Sequence, residues 1–135
     1  LLARSFADKL SKEFQGEECW NLEFANCSVS KSGEYIFLDL SEESLKKVSE
    51  IHERALAVTR DIGTEGQGGT SAKYAFLPHI SIIKLLPEES AEAFLLLGDE
   101  LNGLSFQVSS YTITVDDEEN KGGFRTIEEI SLQTR

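Results

Sequence analysis

The apolar residues of this chain switch repeatedly between a period of about 3.6 and a period of about 2, and the order of the switches limits the fold more than any other feature. In residues 1–15, Leu2, Phe6, Leu10 and Phe14 recur at helical spacing, and Gly16 stops the run. "WNLEFANCSV" alternates, with Leu22 and Phe24 on one face and Asn26 and Ser28 continuing it. "SKSGE" predicts a turn and "YIFLDL" a second strand, so the two strands form a hairpin. "SEESLKKVSEIHERALAV" predicts a helix. Ser41 is its N-cap with Ser44 three places on, Glu42 and Glu43 lie near the positive end of its dipole, and Leu45, Val48, Ile51, Ala55 and Val58 form its buried stripe.

The second half repeats the theme. "RDIGTEGQGGTSAK" has four glycines within residues 63–69 and no periodicity, which predicts a mobile surface loop over 61–72. It is not a phosphate-binding P-loop, because Lys73 does not follow the final glycine as that motif requires. "KYAFLPHISIIKL" predicts a strand, and "PEESAEAFLLLGDEL" a helix opened by Pro87, with Ala91, Phe94, Leu95, Gly98 and Leu101 inward. "LSFQVSSYTITVDD" alternates through Phe106 and Val108, then through Tyr111, Ile113 and Val115. That shift of phase predicts a bulge near Ser109 and Ser110. After the turn "EENKGG", "FRTIEEISLQ" predicts a last strand, with Ile127 and Ile130 out of strict phase.

The resulting order predicts one α+β domain over residues 1–135, with mainly antiparallel pairing. It contains an echo, since helix–strand–strand occurs at residues 1–40 and again at 87–133. A strand precedes the second copy and nothing precedes the first. The chain has no methionine and opens in mid-helix, so a native start upstream of Leu1 is expected.

Composition narrows the ligands. A formal net charge of -11 repels a long phosphate backbone, which argues against wrapping extended RNA or DNA, yet leaves room for a small phosphorylated ligand at a local site. Two cysteines, Cys19 and Cys27, are too few for a disulfide framework and suit a reduced intracellular chain, cytoplasmic or organellar. The apolar runs are strand-sized and no signal-peptide pattern is present, so no membrane partner is expected.

His79 and Ser81 are two apart in a predicted strand and share a face, while Ile80 and Ile82 share the other. A ring nitrogen beside a hydroxyl could bind a phosphate and move a proton, and imidazole titrates near about 6.5. From spacing alone, a satisfied polar pair at a strand end is the commoner explanation of such a pattern. His52 borders the helix stripe and reads as structural, with no metal-ligand spacing to His79. Cys27 has no histidine or basic neighbour in sequence to activate it. The acidic run at 116–120 reads as a solvated turn without the ligand order of a calcium loop.

"FLPHISIIKLLPEESAEA" resembles the second signature of the two-histidine (2H) phosphoesterases, which include the RNA 2′,5′-ligase-like proteins and the plant and fungal cyclic nucleotide phosphodiesterases. Phe76, Pro78, His79, Ser81 and Ile82 stand in its pattern. "SKSGEYIFLDLSEESLKKVSEIHERAL" looks like the strand and helix between the family's two motifs, and residues 102–132 look like its closing strand pair. The resemblance covers most of residues 20–133 and departs at one point. The family uses two H-x-[ST] motifs, and this sequence holds only the second. The first would lie on a strand just before a helix like residues 1–15.

The resemblance implies a two-lobed α+β fold with outer helices and a cleft between antiparallel sheets. In that cleft His79 is half of an acid–base pair, Ser81 holds phosphate oxygens, and Phe76 lines the substrate side. It implies no metal and no organic cofactor. The substrate expected is a small cyclic nucleotide phosphate or an RNA terminus, without long nucleic acid. A second expectation is a non-catalytic module of the same fold, serving as a binding or structural subunit with a protein partner.

Overall fold

The computed structural model describes residues 2–61, 79–84, 100–117, 119 and 122–134. Among them are two helices, α1 (Leu2–Glu13) and α2 (Glu42–Asp61), and six strands. The strands are β1 (Trp20–Val29), β2 (Tyr35–Leu40), β3 (His79–Lys84), β4 (Ser105–Val108), β5 (Ser110–Asp116) and β6 (Phe124–Ser131). One sheet has the order β3-β2-β1-β4 and a second pairs β5 with β6. β1–β2, β2–β3 and β5–β6 are all antiparallel, so the α+β class read from the sequence holds. Of the glycine loop expected over 61–72, Asp61 instead ends α2, and 62–72 lie outside the described residues, as does most of the helix expected from Pro87; Glu100 and Leu101, at that helix's expected end, are helical.

The chain divides into two compact units, one of Leu1–Trp20, Ile51–Tyr74 and Gln107–Arg135, the other of Asn21–Glu50 and Ala75–Phe106. In the first, Leu10, Phe14 and Ile130 form a buried cluster, with Phe6, Ile51, Ala55, Val58, Tyr111 and Ile113 packed on it. This is the α1 stripe and the C-terminal part of the α2 stripe, as the spacing predicts. The Phe14 and Tyr111 rings meet edge to face at 5.2 Å. Arg54 closes the edge of this core. Its guanidinium lies 4.5 Å from the Phe14 ring centroid, donates to Glu13 Oε1 at 3.0 Å and to Glu17 Oε1 at 2.6 Å, and also reaches the Glu13 carbonyl. The segment before β1 joins this unit by a parallel bridge, with Cys19 N–H donating to the Gln133 carbonyl and Gln133 N–H to that of Glu17, both at 2.8 Å.

Tyr111 gives this unit a pH signature. Burial pushes its phenol above the ordinary value of about 10, against the hydrogen bond from Trp20 Nε1–H at 2.8 Å, which lowers it. The native state therefore favours the neutral phenol. The associated stability is fully present below about pH 10 and is lost as pH rises through the raised value. Ultraviolet titration should show a late tyrosine component that Tyr111→Phe removes; titration of all tyrosines together near pH 10 would contradict this burial.

In the second unit, Phe24, Ile36 and Leu38 are buried on one face of the larger sheet. Gly33, at φ +76°, makes the β1–β2 turn, with its N–H on the Ser30 carbonyl at 2.9 Å. The β1–β2, β2–β3 and β5–β6 registers each contain one irregularity. Between Phe24 and Asn26 the β1 ladder gains a residue, Ala25, so Cys27 and Val29 fall opposite the buried Leu38 and Ile36. Asn26 and Ser28, expected to continue the face of Phe24, instead fall opposite Asp39 and Phe37, because one inserted residue inverts the alternation. In β5–β6 the extra residue is Ile127, which accounts for the broken phase of the last strand.

Two further expectations are corrected. The phase shift at Ser109 is not a bulge within one strand. Ser109 separates β4, in the four-stranded sheet, from β5, in the two-stranded one. Leu45 is 42% exposed, and Ser44 takes the buried position beside it. The cause lies at the helix start. Ser41 caps α2 by accepting Ser44 N–H at 3.2 Å, and the Ser44 hydroxyl accepts Glu23 N–H at 2.8 Å, which turns Ser44 towards β1 and Leu45 away. Ser41→Ala is expected to lower stability by about 1 kcal/mol through loss of the cap. Ser44→Ala, which leaves a strand N–H without its partner, is expected to cost about 1–3 kcal/mol. Urea unfolding midpoints check both, and a neutral Ser44→Ala would argue against the clip.

Candidate functional site

The candidate site lies on the polar face of the larger sheet. Along β2, "YIFLDL" sends Ile36 and Leu38 into the core and leaves Tyr35, Phe37 and Asp39 half-buried on the opposite face. β3 runs antiparallel beside it, with His79 opposite Asp39 and Ser81 opposite Phe37. An extra residue at Ile82 then shifts the register, so Ile83 falls opposite Ile36 and Lys84 opposite Tyr35. The expected Ile80/Ile82 pairing on one face is thus replaced by register positions for Ile80 and Ile83 opposite Leu38 and Ile36. The two ladders together align Asn26, Asp39 and His79 in one row, and Ser28, Phe37 and Ser81 in the next. Phe76, and the cleft orientation expected for the His79 and Ser81 side chains, lie outside the described residues.

Three features of this face escaped the sequence reading. Asp39 Oδ1 accepts the Ser28 hydroxyl at 3.1 Å, which fixes a carboxylate in the row of His79. The Tyr35 and Phe37 rings lie within 10° of parallel, with centroids 6.4 Å apart. Lys84 Nζ stands 5.8 Å from the Tyr35 ring centroid, a cation–π distance. The alternation of "YIFLDL" already groups Tyr35, Phe37 and Asp39. What the sequence lacks is the register that sets them beside a strand some forty residues away.

His52 is half-buried on α2. Cys19 and Cys27 are not joined in a disulfide, and the buried Cys19 donates to the Leu132 carbonyl. In the acidic turn, Asp117 Oδ1 accepts Glu119 N–H at 3.1 Å, a local turn bond. Among the described residues, no group of three or more His, Cys, Asp or Glu converges as a metal site, and no helix is long and apolar enough to cross a membrane.

No family model matches the chain, and no curated protein does. The fold, however, has been seen before. The chain is similar to TT0787 of Thermus thermophilus, a crystal structure, with a TM-score of 0.62 over 96% of this chain and 69% of that one. Sequence identity is 15%, so the likeness is one of fold.

Proposed function

We propose that this chain carries one half of a two-histidine phosphoesterase site and acts on the cyclic phosphate of a small nucleotide or an RNA end. The observation that supports the reading best is the register of β3 on β2, which sets the H-x-S positions His79 and Ser81 against Asp39 and Phe37 on a polar sheet face. In the proposed reaction, water attacks phosphorus and the bond from phosphorus to one ribose oxygen breaks. One histidine takes the water proton and the other protonates the departing oxygen, leaving a phosphomonoester and a free hydroxyl. His79 is one of the two, and the other would have to come from a first H-x-[ST] motif, which these 135 residues do not contain. Asp39, opposite His79 in the register and held by Ser28, would orient the imidazole. Ser81 donates to a non-bridging phosphate oxygen as charge develops there.

One observation favours a second reading. The 135 residues contain a single H-x-[ST] on a body of net charge -11, which suits a non-catalytic binding or structural module with a protein partner. The test is to read the coding sequence upstream of Leu1, express the parent protein, and follow 2′,3′-cyclic nucleotide by phosphorus NMR. Turnover to a monoester supports the phosphoesterase. A folded parent that carries the first motif and leaves the cyclic phosphate intact sinks it.

A further inference from the structure

We propose that Tyr35, Phe37 and Lys84 form the nucleoside-binding subsite of this face, with the two rings stacking on the base and the ammonium holding negative charge beside it. The proposal rests on the phosphoesterase reading and names what selects its substrate.

The residues sit in alternation along two adjacent strands. β2 presents Asp39, Phe37 and Tyr35 in succession, and their register partners on β3 are His79, Ser81 and Lys84. Phe37 therefore lies opposite Ser81, the position assigned to the phosphate oxygens, and Tyr35 follows two residues along the strand. Such a step is about 6.6–6.8 Å, comparable to the reach of a nucleoside from its ribose phosphate to its base. The near-parallel rings at 6.4 Å are half-buried, so part of each is open. Aromatic side chains on a sheet face are a recurrent way to hold an unpaired base, because every base offers a π-face. Lys84 is exposed and its ammonium lies over Tyr35, which places positive charge at the subsite of a chain whose overall charge opposes phosphate. The same rings could instead serve only as packing for the sheet, and the two roles differ in what they predict for a ligand without a base.

The test is calorimetric and NMR titration of the full chain with three probes: 2′,3′-cyclic AMP, the 2,3-cyclic phosphate of methyl ribofuranoside, and adenosine. Cyclic AMP should bind about tenfold or more tightly than the base-free probe. Phe37→Leu, which keeps apolar volume but removes the ring, should abolish most of that difference at an unchanged unfolding midpoint, and Lys84→Gln should weaken both phosphorylated probes. If both cyclic phosphates bind equally and depend on His79, the subsite is overturned and the phosphate site stands. If adenosine binds through the rings while phosphate adds nothing and His79→Ala has no effect, the subsite stands and the phosphoesterase reading fails. Binding by none of the three overturns both.

Discussion

His79→Ala should lower hydrolysis of a 2′,3′-cyclic nucleotide by the parent protein at least about 10²-fold, the ordinary loss when a positioned acid or base is removed. Ser81→Ala should do less. A hydrogen bond to a charged group contributes about 1.5–3 kcal/mol, so the hydroxyl accounts for roughly a ten- to hundredfold effect at most. The order matters as much as the sizes, since proton transfer cannot be supplied by water at the same position, whereas a phosphate contact partly can. Both variants should keep the parent's unfolding midpoint. Equal rates for His79→Ala and the parent would remove His79 from the chemistry and leave the two-histidine reading as a statement about fold.

The largest effect on stability is expected at Phe24. Its side chain is 1% exposed, lies opposite Leu40 in the β1–β2 ladder, and has the Phe106 ring 6.0 Å away. Truncation to alanine removes a full aromatic from this core at a cost of about 3–5 kcal/mol. Single domains hold a margin of about 5–15 kcal/mol, so Phe24→Ala should shift the urea midpoint steeply or leave little folded protein. Phe24→Leu keeps most of the apolar contact and should fold. A loss under about 1 kcal/mol for Phe24→Ala would mean that Phe24 is not the centre of this sheet's core. Phe106, 48% exposed on β4, should tolerate the same change far better.

What the sequence reveals about this fold is what local periodicity carries. The stripe of Leu10 and Phe14, the alternation of "YIFLDL", the cap at Ser41 and the turn at Gly33 are each written in a few adjacent residues, and each holds in the structure. The misreadings come from non-local effects. Nothing near Ala25 marks it as the residue that β2 leaves unpaired, so Asn26 and Ser28 read as continuing the face of Phe24. Nothing near Ser109 distinguishes a kink within a strand from a change of sheet, because both break the phase by one residue. Leu45 loses its place to Ser44 because Glu23, on a different element, offers an N–H to the hydroxyl. At the candidate site, the H-x-S spacing is written locally, whereas Asp39, Tyr35 and Phe37 are set beside it only through strand pairing.

The three inserted residues, Ala25, Ile82 and Ile127, bear on how this chain can change over evolutionary time. Losing one of them would straighten a ladder while leaving every flanking side chain on its present face. Losing or gaining a residue elsewhere in the same strands would exchange core for solvent along the rest of the strand. Length variation among descendants of this chain should therefore gather at those three points. A comparison that aligns such descendants without gaps would drift out of step with the architecture at each of them, even where the architecture itself has not moved.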